Sequence, residues 1–431
     1  MKNNKFKLET LALHAGYEPD PVSLSRAVPV YRTTSYLFNN TEHAANLFSL
    51  KELGNIYTRI MNPTQDVLEK RIAALEGGAA ALALASGTSA IFYSIINIAR
   101  QGDEIVSANN LYGGTYTMFD SILPQFGINV KFVPHDKPEE FEKAINERTR
   151  ALFIEGIGNP VLDFIDIDVI SKIAKKHHLP LIIDSTFTTP YLFNPIEHGA
   201  DIVVHSLTKW IGGHGTGIGG IVVDSGKFDW TDKKFSLYNE PDGGYHGLRF
   251  AHDLGDLNPL AFILRMRLVP LRNLGAAISP DNAWIFLQGL ETLALRMQRH
   301  SENALAVAEY LKKHKHVKWV RYPGLKSDPA YPVAGKYLKK GFGGMVVFGI
   351  NGGYDAAVKL INNIELFSHL ANVGDAKSLI IHPSSTTHSQ LSEEDQKKGG
   401  LTPDLVRLSI GIENIDDIIS ALENGLKKAH E

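Results

Sequence analysis

The chain has 431 residues, of which 44% are hydrophobic, and a formal net charge of −3. That length allows two or three domains, and the composition suits a packed core rather than disorder. The small negative charge gives no general attraction to nucleic acid or anionic membranes, so neither is expected as a partner, and the absence of cysteine excludes disulfides, thiol catalysis and cysteine metal sites.

Met1 to Leu8 carries no apolar signal core. No apolar run approaches the roughly 18 residues of a membrane helix. A soluble, cytoplasmic protein is expected, and the lack of cysteine fits a reducing compartment.

Residues 1–60 read as an irregular arm that needs another surface, such as a second subunit. Thr10–His14 is a short helix candidate, and Pro29–Tyr31 and Ser35–Phe38 look extended. Tyr57 and Arg59 are two apart in a segment taken as extended, so they point the same way. They suit either a solvated surface or a phosphate. From Val67 the pattern turns regular. Val67–Leu75 is an amphipathic helix stopped by Gly77-Gly78. Ala81–Ala85 is a short buried strand, and Ser86-Gly87-Thr88 leads into a helix through Arg100. Free amides at such a helix start cradle a phosphate, although Ser and Thr are also ordinary caps.

Strands at 104–108, 129–133, 150–154, 179–183 and 200–204 alternate with helices at 114–125, 138–145 and 168–178. That alternation predicts an α/β fold with a largely parallel sheet. Ligands bind at the carboxyl edge of such sheets, and the candidate residues stand just past the strand ends. Tyr112 is an aromatic in a glycine-flanked turn, able to lie on a heterocycle or to pack. Asn159 donates to a ring oxygen or makes a turn. Asp184 ends an apolar strand, a costly place for a charge unless something such as a pyridinium N–H pairs with it; capping the next turn is the plainer use. Lys209 follows the last strand, flanked by Ser206 and Thr208. An amine there, with hydroxyls for a phosphate, is the layout of a pyridoxal phosphate Schiff base. An aromatic, an amide, a carboxylate and an amine on one rim suit that cofactor together.

Gly215-Thr-Gly-Ile-Gly-Gly220 matches G-x-G-x-x-G but precedes a strand instead of opening a helix, so a dinucleotide site is rejected. Residues 225–275 break the alternation and read as an insertion or a subunit contact. Ser279-Pro-Asp281 caps a long helix towards His314 that leads to a second part of the chain. That part holds strands near 344–348 and 406–411, a helix from 354 to 362 and a closing helix from 415 to 429. Arg407 lies in an apolar strand, where it serves a buried salt bridge or a substrate carboxylate. His382 and His388 lack a third ligand, so no metal is expected.

These residues together resemble the cysteine/methionine-metabolism family of fold-type I pyridoxal phosphate enzymes. The resemblance rests on Tyr57-x-Arg59, Asn62-Pro-Thr, Ser86-Gly-Thr, Leu111-Tyr-Gly, Asp184-Ser-Thr, Ser206-Leu-Thr-Lys209 and Val406-Arg-Leu-Ser. Within the family the chain is most similar to the O-acetylhomoserine sulfhydrylases, from the insertion after the lysine and from Asn372 where lyases carry Ser. Gly114, where methionine γ-lyases carry Cys, weakens a lyase reading. The resemblance implies an aspartate-aminotransferase-like fold with an arm (1–60), a cofactor domain (61–280) and a C-terminal domain (281–431). It implies Lys209 as the cofactor's covalent anchor, Asp184 on the pyridine nitrogen and Tyr112 stacked on the ring. Ser86, Gly87, Thr88, Ser206 and Thr208 fall to the phosphate, Tyr57 and Arg59 to the phosphate of a neighbouring subunit, and Asn159 to the cofactor. Asn372 and Arg407 hold the substrate. The implied reaction turns O-acetylhomoserine and sulfide, or another thiol, into homocysteine and acetate, in a homodimer or homotetramer. Cystathionine γ-synthase and γ-lyase outcomes are the near alternatives, and a non-catalytic α/β binding protein the distant one.

Overall fold

The computed structural model describes residues 6–386 and 400–431. Seven strands form the first sheet: β1 (Ala80–Leu84), β2 (Glu104–Ala108), β3 (Asn129–Val133), β4 (Thr149–Glu155), β5 (Leu181–Asp184), β6 (Ile202–Ser206) and β7 (Gly220–Asp224). Their order across the sheet is β1-β7-β6-β5-β4-β2-β3. β6, β5, β4, β2 and β3 run parallel, and β7 runs antiparallel to both its neighbours. A parallel sheet is covered on both faces, so its strands read as unbroken apolar runs. Successive side chains alternate between those faces. Leu152, Ile154, Ile183 and Val203 pack with Leu68 and Ile72 of the helix Pro63–Glu76. Ala151, Phe153, Ile182 and Ile202 pack on the other side with Ile91, Tyr238 and Phe262.

A second sheet comprises β8 (Val317–Arg321), β9 (Met345–Ile350), β10 (Ser368–His369), β11 (Leu379–Ile381) and β12 (Leu405–Ser409). Its order is β10-β11-β12-β9-β8, antiparallel except for β10 with β11. The helices Pro280–Glu291 and Leu293–Lys313 run between the sheets in sequence, with a break at Thr292. Ser279 caps the first by accepting the Asn282 N–H.

Some expectations need correction. The segment 114–125 is not one regular helix. It is an α-turn at Gly113–Thr117, a wide turn at Met118–Ile122 and a tight one at Leu123–Phe126. Pro124 supplies no N–H to continue a regular ladder. The strand expected from Leu179 starts at Leu181, after Pro180. In the arm, Ser35 and Tyr57 form an isolated bridge, and an unanticipated helix spans Thr41–Phe48, capped by Asn40. Tyr57 is not followed by an extended segment: Ile60 N donates to Tyr57 O in a turn. The region 225–275 packs on its own chain, where Asn97 donates to Tyr238 Oη and to Phe262 O. No helix among the described residues is long and apolar enough to cross a membrane.

Candidate active site

A cavity of about 270 Å³ opens at the carboxyl ends of β2, β4, β5 and β6, closed from the other side by β12 and the loop 371–373. Because β3 sits at the sheet edge, these four strands are neighbours in space. Tyr112, Asn159, Asp184 and Lys209 therefore line one wall in strand order, together with Ser86, Gly87, Thr88, Ser206, Thr208, Asn372 and Arg407.

Lys209 follows β6 in a tight turn, with the Gly213 N–H donating to its carbonyl at 2.8 Å. Its Nζ donates to Asn372 Oδ1 at 2.6 Å. Burial, and then the positive charge of Arg407, lower its pKa from 10.5 to about 8. The buried guanidinium of Arg296 donates to the carbonyls of Trp210 (2.6 Å), Ile211 (3.1 Å) and Gly289 (2.6 Å), which pins the turn to a helix. At Gly374 an added Cβ would lie 2.5 Å from Trp210 N. Only a residue without a side chain lets the loop carrying Asn372 lie this close.

Asp184 ends β5 and accepts the Thr186 N–H at 2.9 Å. Burial raises its pKa, opposed by its bonds from Thr186. Tyr112 is 46% exposed; its N–H donates to Glu155 Oε1 at 2.7 Å. Arg407 is buried in β12 and donates to Asn159 Oδ1 at 3.1 Å. It has no ion-pair partner among the described residues, and burial lowers its pKa to about 10. A buried guanidinium has the donors and the charge to take a carboxylate.

Ser86 caps the helix Gly87–Ile96 by accepting the Ser89 N–H at 3.0 Å, and its Oγ lies 2.9 Å from Thr88 Oγ1. The first amides of such a helix have no partner inside it, and its dipole favours an anion. An added Cβ on Gly87 would fall 2.7 Å from Ser206 Cβ, so the two walls of this cradle meet only because Gly87 lacks one. Hydroxyls and helix amides suit a phosphate, the Asp184 carboxylate a pyridinium, and Lys209 an aldehyde; this donor set fits pyridoxal phosphate.

Tyr57 and Arg59 do not line the cavity of their own chain. Both are exposed, with the Arg59 guanidinium 5.3 Å above the Tyr57 ring. His382 is tied to Ser385 Oγ (2.8 Å) and to the Pro403 carbonyl (2.9 Å), and His388 lies outside the described residues. Sequence reasoning missed Glu155, Thr186 and Arg296. For Glu155 a signal existed, since it ends an apolar strand as Asp184 does.

A family model for Cys/Met metabolism PLP-dependent enzymes matches residues 9–427. The chain belongs to this family. Among its Cys/Met metabolism relatives, an O-acetyl-L-homoserine sulfhydrylase from Leptospira meyeri is 58% identical, covering 98% of this chain and 97% of that protein. A homocysteine synthase from Schizosaccharomyces pombe is 52% identical, with 98% of each chain covered. A Campylobacter jejuni crystal structure containing N'-pyridoxyl-lysine-5'-monophosphate superposes with a TM-score of 0.95 at 44% identity, covering 98% of this chain and 100% of that one. The family's cofactor and the cavity's donor set agree.

Proposed function

We propose that the protein catalyses γ-replacement, converting O-acetylhomoserine and sulfide into homocysteine and acetate. The Cγ–O bond breaks, acetate leaves with its electron pair, and a Cγ–S bond forms. The observation that carries this reading is the convergence of amine, carboxylate, anion cradle and a guanidinium without an ion-pair partner among the described residues in one cavity, in a chain 58% identical to an O-acetyl-L-homoserine sulfhydrylase.

Ser86, Gly87, Thr88, Ser206 and Thr208 would hold the phosphate of pyridoxal phosphate, Asp184 would pair with its pyridine nitrogen, Tyr112 would pack against its ring and Lys209 would anchor it. The bound cofactor supplies an electron sink, which acidifies the carbon beside the substrate's amino group. Arg407, with Asn372, grips the substrate carboxylate and so fixes which face of the substrate Lys209 meets. An amine with a pKa of about 8 is uncharged in part of the molecules near neutrality and can take that proton. With neither cofactor nor substrate bound, the positive charge of Arg407 adds to burial in favouring this uncharged form. Asn372, already bonded to Lys209 Nζ, limits the arc over which the amine swings. Ile91, Ile157, Phe187 and Val373 give the cavity apolar walls.

We read residues 1–60 as an arm, 61–280 as the cofactor-binding part and 281–431 as the C-terminal part of a cytoplasmic homodimer or homotetramer. Tyr57 and Arg59, exposed and outside their own cavity, then serve a neighbouring subunit's phosphate cradle.

The test is product analysis with purified protein loaded with pyridoxal phosphate, given O-acetylhomoserine with and without sulfide. Homocysteine formed only with sulfide supports the proposal. Mostly 2-oxobutyrate and ammonia in the presence of sulfide would move the protein to the lyases. Lys209→Ala should lower turnover at least about a thousandfold; near-normal turnover would remove Lys209 from its role.

A further inference from the structure

Glu155 ends β4 directly opposite Asp184, which ends β5. Register partners on adjacent parallel strands face the same side, so two carboxyl groups stand side by side at the floor of the cavity that both line. Glu155 is only 5% exposed. Its Oε1 receives the Tyr112 N–H at 2.7 Å, a bond that crosses from β4 to the loop after β2. The Tyr112 ring is set from a second direction, since a Cβ on Gly114 would fall 2.6 Å from its Cε1. The ring thus occupies space that any side chain at position 114 would take. Its backbone is tied twice: the N–H to Glu155 at 2.7 Å and the carbonyl to the Tyr116 N–H at 2.9 Å, and only the first bond ties it to β4.

We propose that Glu155 is a positioning residue of this site: through the Tyr112 N–H it sets where that ring lies over the floor beside Asp184. The inference rests on the pyridoxal phosphate reading of the cavity. Its charge state follows from the same geometry. Two buried carboxylates side by side do not both ionise without a large cost. Burial, together with the Asp184 charge, drives the Glu155 carboxyl well above the usual range. The other titratable side chains lining the cavity are Tyr112, Lys209 and Arg407, none of which makes an ion pair with Glu155 among the described residues. Glu155 is therefore the carboxyl that burial and its neighbour push towards the neutral acid, and its oxygen still accepts the Tyr112 N–H. Burial also pushes the Asp184 carboxyl up, but the Thr186 N–H that it receives opposes this.

The test compares Glu155→Gln with Glu155→Met. The first keeps an uncharged acceptor; the second keeps the bulk and removes it. Protein freed of cofactor is titrated with pyridoxal phosphate by absorbance, borohydride trapping and mass spectrometry locate the attachment, and spectra are taken from about pH 6 to 9. The Gln variant should match the unmodified protein within about twofold in dissociation constant, with the same spectra. The Met variant leaves a buried N–H unpaired and should bind about tenfold more weakly. Equal behaviour of the two variants overturns the proposal. So does a Gln variant with pH-shifted spectra, because that would require a charged Glu155. Should Met fail to fold, Glu155→Asp withdraws the acceptor by one methylene and takes its place; affinity equal to the unmodified protein then overturns the proposal. If the unmodified protein takes up no pyridoxal phosphate, or borohydride fixes none at Lys209, the cavity reading falls and this inference falls with it. If only the variants disagree with expectation, the cavity reading stands and Glu155 alone loses its role.

Discussion

The two sheets supply the cavity in different ways. The parallel strands β2, β4, β5 and β6 contribute from their ends: Asp184 is the last residue of β5, and Tyr112, Asn159 and Lys209 follow three or four residues after β2, β4 and β6. The antiparallel sheet contributes from the middle of a strand. Arg407 sits at the centre of β12, paired with Val347 on one side and Ile381 on the other. Parallel strands aim all their carboxyl ends at one edge, so a rim of functional groups is a by-product of topology. An antiparallel sheet has no such edge, and a functional residue in it must be buried in place and carry the cost itself.

That contrast can be broken at either side. The largest effect is expected on the rim. Asp184→Ala removes the charge of the floor and should lower turnover by about a hundred- to a thousandfold; steady-state rates at saturating cofactor check this, and a change under about tenfold would take Asp184 out of the floor. On the antiparallel side, Arg407→Lys keeps the charge but loses the fork. It should raise KM for O-acetylhomoserine about tenfold or more, with kcat changed less. An unchanged KM would make Arg407 structural. Ser206→Ala tests the shared nature of the cradle. One neutral hydrogen bond among several should cost only about three- to tenfold in the pyridoxal phosphate dissociation constant, measured by titration of cofactor-free protein.

The smallest expected effect concerns pH. In the cofactor-free protein Lys209 loses its proton near pH 8, whereas the unfolded chain keeps it to about 10.5. Between those values the unfolded state binds more protons, so stability rises with pH. The penalty of burying the ammonium is full below pH 8 and is relieved above it. Against Lys209→Met, which does not titrate, the unmodified cofactor-free protein should gain roughly 2 °C in Tm between pH 8 and 10. A constant difference across that range would mean Lys209 is not depressed.

The parallel rim was legible because apolar runs ended abruptly in polar residues. Asp184 and Lys209 stood out by the same rule that should also have marked Glu155. Arg407 was legible by a different rule, the cost of a guanidinium in an apolar strand. The cross-links were not legible. Arg296 grips the carbonyls of Trp210 and Ile211 from 86 and 85 residues away, and nothing in a helical arginine announces which carbonyls it will meet. The arm was misread for a related reason. Its helix Thr41–Phe48 is short and half-exposed, with Leu47 its one buried residue, so its apolar pattern is faint. The turn after Tyr57 reads as extended in the sequence because the tertiary bond from Thr58 N to Thr34 O is invisible there.

The strand order also dictates a timetable for biosynthesis. β1 leaves the ribosome first, yet it pairs only with β7. The sheet therefore cannot close until Asp224 has emerged, and by then Asp184, Lys209 and the anion cradle have all been made. Asn372 and Arg407 arrive about 150 or more residues later; at a synthesis rate of roughly 5–20 residues per second, that is a delay of roughly 10 to 30 seconds. A nascent chain thus passes through an interval in which the groups assigned to the cofactor exist and the grip on the substrate carboxylate does not.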